Sequence, residues 1–198
     1  MIFYQITFGP YCKAKEEEAD DHIESYLNSL CRNGQIARRY VWRTRNGEVV
    51  ACVHAMEYDA HLLKFHSQWG KKHLRELIDF FGQKPVWTCD EDFPSKRKTT
   101  WKGAPFLYFV TDYGEIRTPL VRGDNAMSIP LYRVPVTDLE RDEISSWMWR
   151  YKSLDNVWMG SCDLEMQAYQ ALAGLDSKCT EYGREHCLAI EKATGVPT

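Results

Sequence analysis

The side chains best able to hold a metal ion or attack a substrate are seven cysteines and six histidines in a chain of 198 residues. The cysteines stand at positions 12, 31, 52, 89, 162, 179 and 187, and no two form a C-x₂-C or C-x-C pair. Structural zinc sites need closely spaced thiolate or imidazole ligands. A degenerate site could pair Cys89 with a histidine in another predicted element, namely His61, His66 or His73. Packing roles are favoured for these residues, and the sequence predicts no metal and no cofactor.

A cysteine–histidine nucleophile is the second chemistry that these residue types allow. Any of three cysteines could be paired with His186, namely Cys162, Cys179 and Cys187, but no local signature distinguishes one of them. The glycine patterns G-x-x-x-x-G-K-[ST] and G-x-G-x-x-G, which cradle phosphates, do not occur. No catalytic residue is therefore predicted, and we expect a non-enzymatic protein that works by binding.

Charge indicates what kind of partner it would bind. The whole chain has a net charge of −3, whereas residues 136–198 contain 11 acidic and 6 basic residues. An acidic surface steers a basic protein toward it. The predicted partner-binding residues are Glu140, Asp142, Glu143, Asp163 and Glu165. The leading hypothesis is an antitoxin-like immunity protein that neutralises a basic toxin domain, although the same acids would also suit solvated helix faces.

Thr118 to Pro135 reads TPLVRGDNAMSIPLYRVP, and the later residues Trp147, Tyr151 and Gly183 keep register with it. From Pro119 onward the chain resembles a bacterial family described as zinc-ribbon-containing, of unknown function and a candidate for nucleic-acid binding. The resemblance implies Cys-Gly-Asp-Cys where this chain has Arg122-Gly123-Asp124-Asn125, and a second cysteine pair where only Cys89 remains. It therefore implies the scaffold of a degenerate zinc ribbon without its metal.

The alternative function is nucleic-acid binding by a protein of zinc-ribbon descent without metal. The segment that favours it contains Lys96, Arg97 and Lys98, followed by Trp101. Lysine and arginine neutralise phosphates, and an aromatic ring stacks on a base, so this loop could hold a single strand. A solvated loop would have the same composition.

Elements in the first 90 residues must position these side chains. Residues 2–8 alternate as a strand, residues 13–30 and 69–81 have helical spacing, and residues 35–45, 48–57 and 85–89 are predicted strands. Asn46-Gly47 predicts a tight hairpin between the second and third strands. The order strand, helix, strand, strand, helix, strand predicts a ferredoxin-like split βαβ half over residues 1–90.

The rest of the chain completes a predicted α+β fold. Residues 91–135 form a β-rich, ribbon-like segment with strands predicted over 106–112, 115–122 and 128–134. Residues 136–198 form a helical half, with a helix over 138–158, capped by Thr137 or Asp138, a second helix from residue 161, and a continuation over 180–193. We expect a C-terminal helical hairpin, and the three segments packed as one unit.

The cellular location is predicted from targeting and membrane signals that the sequence does not contain. The N-terminus MIFYQITFGP has no basic region followed by an apolar run, so no secretory signal is predicted. No apolar stretch reaches the length of a membrane span. An odd number of scattered cysteines is typical of reduced thiols. We therefore predict a cytoplasmic protein that does not bind membranes.

Overall fold

The structure is a computed structural model that describes residues 1–89, 98–111 and 118–198. The chain forms two compact units, Met1–Lys98 and Thr99–Thr198. The first contains β1 (Ile2–Pro10), α1 (Glu16–Arg32), β2 (Val41–Arg45), β3 (Glu48–Ala55), α2 (Gln68–Phe81) and β4 (Val86–Cys89). The second contains β5 (Leu107–Phe109), β6 (Leu120–Arg122), α3 (Asp138–Gly160), α4 (Glu165–Ala173) and α5 (Lys178–Thr194). The mixed α and β character predicted from the sequence is confirmed.

The first unit is built on a four-stranded antiparallel sheet in the order β2-β3-β1-β4. The chain between β1 and β2, which includes α1, leads to one edge of the sheet. The chain between β3 and β4, which includes α2, leads to the other edge. The two central strands pair from Ile2 opposite Ala55 to Thr7 opposite Val50. The hairpin between β2 and β3 turns at Asn46-Gly47, where both residues have positive φ (53° and 78°), as a tight two-residue turn requires.

Alternation along β1 separates the two faces of this sheet. The even-numbered side chains from Ile2 to Phe8 are at most 4% exposed, whereas Phe3, Gln5 and Thr7 are only partly buried. The apolar residues of α1 that the helical spacing predicts to be internal are all buried: Ala19, Ile23, Tyr26, Leu27 and Leu30. Burial of these two apolar faces against each other is the main driving force for this unit, since each buried large side chain contributes roughly 1.5–3 kcal/mol.

The predicted strand over residues 35–45 is shorter than expected. Regular pairing begins only at Val41, and Ile36 forms an isolated bridge with Ala55. The backbone beside this bridge still pairs, with the Met56 N–H donating to the Gln35 carbonyl at 3.0 Å and the Ala37 N–H donating to the His54 carbonyl at 2.8 Å. The ladder is therefore interrupted at residues 38–40, between this bridge and β2. The Gln35 side chain is fully buried and its amide group is hydrogen-bonded in a polar network inside the molecule.

That buried network joins α1 to the segment before α2. The Asn33 amide donates to the Gln35 side chain at 2.8 Å and to the Phe65 carbonyl at 2.7 Å, and the Gln35 amide donates to the Ala60 carbonyl. His66 Nδ1 lies 3.2 Å from the Leu62 carbonyl, and Nε2 lies 3.0 Å from the Tyr26 hydroxyl. Because a carbonyl only accepts, the Leu62 contact places the proton on Nδ1, and Nε2 then accepts from Tyr26; the Gln35 amide nitrogen, 3.3 Å from Nδ1, is a neighbour that does not donate to it. Neutral His66 therefore forms a hydrogen bond with both the Leu62 carbonyl and the Tyr26 hydroxyl.

In the second unit, β5 and β6 form a short antiparallel pair, with Leu107 opposite Arg122 and Phe109 opposite Leu120. The predicted strand over 128–134 is not formed. Ser128 makes only an isolated bridge with Val121, and Leu131–Arg133 form a turn of 3₁₀ helix. Pro130 explains the difference, because proline has no N–H to donate to a sheet and fixes its own φ.

The helices of this unit begin where local signals place them. Thr137 caps α3 through a capping box with Glu140, and Ser177 caps α5 by accepting from the Thr180 N–H. The second helix begins at Glu165 instead of residue 161, because Cys162 adopts a left-handed conformation (φ 60°) that interrupts helical geometry. α3 packs against α4, and both pack against α5. The expected C-terminal helical hairpin is confirmed.

One core joins the strands and helices of the second unit. Leu107 and Leu120 from the strands pack in the same cluster as Ile144 of α3 and Ile190 of α5. Beside it, the Trp147 indole donates to the Cys179 carbonyl at 2.7 Å and stacks on Phe109 with ring centroids 4.5 Å apart. Because the same cluster contains strand and helix residues, neither part has a separate core.

Across the described ranges, no helix is both long and apolar enough to cross a membrane. All seven cysteines are free thiols.

The buried His66 makes stability depend on pH. Burial lowers the pKa of His66 from its ordinary value of 6.5 to about 4, with Lys71 and His61 acting in the same direction. The unfolded chain therefore takes up a proton at a higher pH than the folded chain. Lowering the pH from about 7 to about 4 should cost about 3 kcal/mol of unfolding free energy through His66. Urea titrations followed by tryptophan fluorescence across this range measure that loss.

The variant His66→Gln is the matched comparison, because it keeps a polar side chain without a titrating ring. We expect it to be less stable than the native chain at neutral pH and to lose most of the acid-dependent slope. An unchanged slope in the variant would show that other groups, such as the partly buried His61 and His186, cause the pH dependence.

Candidate nucleic-acid interface

The face of the four-stranded sheet opposite the helices forms a candidate binding surface. Phe8, on the buried face, stacks on Phe81 of α2, and the Trp42 indole donates to Asp20 of α1 at 2.7 Å. Both helices therefore lie on that side. Cross-strand partners share a face, so the other side presents the residues that alternate with these. We call it the open sheet face, and its polar and aromatic residues include Phe3, Gln5, Arg43, Arg45 and His54.

Two rings lie side by side on the open sheet face, near one end of the two central strands. Phe3 of β1 and His54 of β3 are direct partners in the ladder, with ring centroids 5.5 Å apart and planes inclined by 66°. His54 is exposed and Phe3 is partly exposed. Both belong to the central strands, which hold them more rigidly than a loop would. Flat rings on a rigid sheet are the kind of surface on which unpaired bases stack.

Two arginines lie on the edge strand of the same face, farther along the ladder, with Arg43 opposite Val50 and Arg45 opposite Glu48. Arg43 and Arg45 are both exposed, and the Arg45 guanidinium donates to the Gln5 side chain at 3.2 Å. This hydrogen bond reaches across β3, so the Arg45 side chain lies over the open sheet face. Glu48, opposite Arg45 in the register, is the acidic neighbour at the rim. The surface thus combines stacking rings with guanidinium groups, which bind phosphate oxygens.

The sequence contains a signal for this surface that composition alone does not reveal. Residues 38–45 read RRYVWRTR, four arginines and two aromatic residues in eight positions. Strand alternation sends Arg43 and Arg45 to the open sheet face and Trp42 to the helix side, where its ring stacks with Tyr40 at 6.1 Å. A basic run within an alternating strand identifies a basic edge, but only the sheet order shows which rings lie beside it.

The predicted acidic surface is divided between the two ends of α3. Glu140 accepts from the Thr137 N–H at 2.7 Å and from its hydroxyl at 2.8 Å, so it serves the capping box. Asp142 and Glu143 follow in the next turn. Asp163 and Glu165 lie beyond the other end, where both are exposed. A helix rises 1.5 Å per residue, so about 25–30 Å separates the two groups.

The structure describes only part of the predicted basic loop, and the described residues have contacts within the chain. Lys96 and Arg97 lie outside the described residues. Lys98 forms an ion pair with Asp59 at 2.7 Å, and Trp101 packs against the core of the second unit. Two of the four predicted nucleic-acid contacts therefore have intramolecular roles.

The candidate metal ligands of the first unit have separate roles. Among the described residues, no three groups of histidine, cysteine, aspartate or glutamate converge on a metal position. His66 belongs to the buried network, and His73 lies 2.9 Å from Glu76 one helical turn away. The His61 ring stacks on Trp87 at 5.5 Å, and Cys89 ends β4. The structure thus assigns packing or pairing roles to these histidines.

Two of the three cysteines that the sequence allowed as partners of His186 lie where burial disfavours the thiolate. Burial raises the pKa of the Cys179 and Cys187 thiols, which disfavours the reactive thiolate. Burial also lowers the pKa of His186, whose ring meets Phe109 edge-on at 6.1 Å. The surroundings of Cys179, Cys187 and His186 are those of packed aromatic and thiol groups, whereas Cys162 is exposed in the turn before α4.

The Arg122-Gly123-Asp124 turn has a structural role. The Arg122 guanidinium binds the Asp124 carboxylate through two hydrogen bonds of 2.9 and 2.7 Å. It also donates to the carbonyls of Thr100 at 2.6 Å and Lys102 at 3.0 Å. One planar cation thus ties the turn after β6 to the segment before β5. The position where the resemblance implies a zinc-ligand pair is therefore cross-linked by hydrogen bonds.

Comparison with known proteins gives similarity without a described function. Residues 102–198 match the family described as Domain of unknown function (DUF2310), and residues 1–90 match Domain of unknown function (DUF8589). Two uncharacterized proteins of Haemophilus influenzae are each 27% identical to the chain over 110 residues, 54% of this chain. The match covers 54% of one relative and 42% of the other, so the chain spans about half the length of the curated relatives it matches. No solved structure matches.

The two family matches divide the chain close to the boundary between its compact units. Neither family description mentions a zinc ribbon or a nucleic acid. The expected family is therefore supported only as similarity to domains of unknown function, and any activity must be argued from the residues themselves.

The Arg122 cross-link predicts that lysine cannot replace arginine there. Lysine keeps the charge but lacks the planar fork that serves Asp124 and both carbonyls at once. Arg122→Lys should lower the melting temperature by several degrees, measured by circular dichroism. Arg184→Lys is the control, because Arg184 is exposed and makes one recorded hydrogen bond, to the Leu175 carbonyl. Equal melting temperatures for the two variants would contradict the role of Arg122.

Proposed function

We propose that this chain binds single-stranded nucleic acid on the open sheet face. The observation that carries the proposal is the Phe3–His54 ring pair on the two central strands, together with Arg43 and Arg45 on the edge strand of the same face. The ligand class is the second of the two expected from the sequence. The surface is a different one from the predicted loop.

The chemistry divides between rings and guanidinium groups. A base stacked on an aromatic ring contributes about 1–3 kcal/mol, with little dependence on which base it is. Each arginine that neutralises a phosphate releases a counterion, so affinity falls as salt rises. Gln5 lies between the rings and the arginines, and its side-chain amide offers both a donor and an acceptor to a base edge. Such a site favours an unpaired strand, because a duplex hides the faces of its bases.

The topology supports the same proposal. We infer that the first unit is a ferredoxin-like split βαβ unit, on the basis of its element order and its strand order β2-β3-β1-β4. One family of RNA-binding modules places base-stacking aromatics on a four-stranded sheet. Folds of this kind serve many functions, so the argument depends on the side chains of the open sheet face rather than on topology.

The other sequence hypotheses stay predictions. An immunity protein that neutralises a basic toxin would need its acidic residues on one surface, and the five predicted residues are divided by the length of α3. Descent of β5 and β6 from a zinc ribbon, a cytoplasmic location and the absence of catalysis are likewise proposals. The nucleic-acid proposal is compatible with all three.

Binding to fluorescent single-stranded RNA and DNA oligonucleotides tests the proposed function. Phe3→Leu keeps an apolar side chain but removes the stacking ring, and it should weaken binding about tenfold without changing the salt dependence. Arg43→Ala combined with Arg45→Ala should weaken binding and reduce the slope of log affinity against log salt by roughly 1.4. Fluorescence anisotropy over a series of salt concentrations measures both effects.

A charge-matched control is available on the helix layer. Lys72→Ala combined with Arg75→Ala removes the same charge from α2, on the opposite side of the sheet. This variant should bind like the native chain. The proposal fails if the native chain does not bind either oligonucleotide, or if the two double variants lose the same affinity.

A further inference from the structure

A second surface lies at the turn between α3 and α4, and it is apolar. Five large side chains there are between 41% and 64% exposed, namely Trp158, Met159, Leu164, Met166 and Tyr169. We call this the α4 surface. Single exposed apolar residues are common, but a group of five around one turn is characteristic of an interaction site.

The turn and α4 hold these side chains together. The Trp158 and Tyr169 rings lie 6.0 Å apart, which joins the end of α3 to the middle of α4. Met166 is three residues before Tyr169, so both lie on neighbouring parts of one helix surface. Ala168 is buried and marks the side of α4 that faces the unit. The α4 surface therefore lies on a packed helix and needs no rearrangement to be presented.

The segment of chain that forms the α4 surface carries charge of one sign. From residue 153 to residue 177 the chain contains four acidic residues and no lysine or arginine. Two of them, Asp163 and Glu165, are exposed at the turn beside Leu164. The nearest basic residues along the following chain are beyond α4, where Lys178 pairs with Glu181 at 2.8 Å and Arg184 donates to the Leu175 carbonyl. The acidic end of the surface is thus left without a basic neighbour in its own segment.

We propose that the α4 surface binds a protein partner through an amphipathic helix with lysine or arginine beside its apolar face. Apolar side chains of that helix would cover Trp158, Met166 and Tyr169, and its basic residues would face Asp163 and Glu165. A second copy of this chain fits less well, because a symmetric contact would bring the acidic residues of both copies together. The proposal is independent of nucleic-acid binding on the open sheet face.

Two synthetic peptides and two matched variants test the proposal on the full chain. The probe is a short helical peptide with leucines on one face and lysines on the other, and its partner peptide has glutamates in place of the lysines. The lysine peptide should bind the native chain more tightly than the glutamate peptide, and high salt should weaken it. Met166→Lys should reduce its affinity about tenfold. Labelled-peptide anisotropy measures each affinity.

Leu188→Lys is the control, because Leu188 is 68% exposed on α5 and the substitution adds the same charge. This variant should bind the lysine peptide nearly as the native chain does. Asp163→Asn combined with Glu165→Gln should weaken the lysine peptide at low salt and leave the glutamate peptide unaffected or improved. Circular dichroism of every variant shows whether a loss of binding reflects a loss of fold.

Three results would overturn the proposal. The first is equal binding of the lysine peptide to the Met166→Lys and Leu188→Lys variants, or equal binding of the two peptides to the native chain. The second is a dimer in sedimentation that Met166→Lys dissociates and Leu188→Lys does not, which would assign the surface to a second copy. The third is Met166-dependent binding to phosphatidylcholine vesicles, which would assign it to a lipid surface.

Discussion

The pairing of β1 with β3 determines the chemistry of the first unit. The register that places Tyr4 opposite Val53 and Phe3 opposite His54 sends one set of side chains to the helices and the other to the open sheet face. A slip by one residue would exchange the two sets, expose Ile2 and Ile6, and bury Gln5. The free energy of burying the apolar set therefore fixes where Phe3 and His54 lie. Packing on one side of the sheet determines the binding chemistry on the other.

Polar contacts fix the segments that the apolar core does not reach. Asn33, Gln35 and His66 hold the chain between β3 and α2 against α1 through side chains buried almost completely. In the second unit, Arg122 holds the turn after β6 against the segment before β5 through four hydrogen bonds. Both sets of hydrogen bonds are directional, so they specify one backbone arrangement where apolar contacts alone would allow several.

The two proposed surfaces differ in the chemistry they offer. The open sheet face combines rings with arginines and suits an anionic, planar ligand. The α4 surface combines exposed apolar side chains with carboxylates and suits a basic helix. They lie in different units, whose sequences match different families of unknown function. The two proposals thus assign a nucleic acid to one unit and a protein partner to the other.

The sequence by itself determined the features that depend on neighbouring residues. The two-residue alternation of β1, the Asn46-Gly47 turn, the helical spacing in α1 and the Thr137 cap are all local, and each was correctly predicted within a few residues. Of the strand–turn–strand predicted within Thr118 to Pro135, only the first strand forms: β6 pairs with β5, and Ser128 makes an isolated bridge where the second strand was expected.

Tertiary structure decided everything that joins distant residues. Tyr26 and His66 are 40 positions apart, and Arg122 meets the Thr100 carbonyl 22 positions earlier. The sequence predicted Lys98 and Trp101 as contacts for a nucleic acid. In the structure Lys98 forms an ion pair with Asp59, and Trp101 packs against the core of the second unit. Conversely, Phe3 and His54 became neighbours only because β1 lies beside β3. Residue types show what each side chain can do, whereas strand order and packing determine which side chains meet and which stay exposed to a partner.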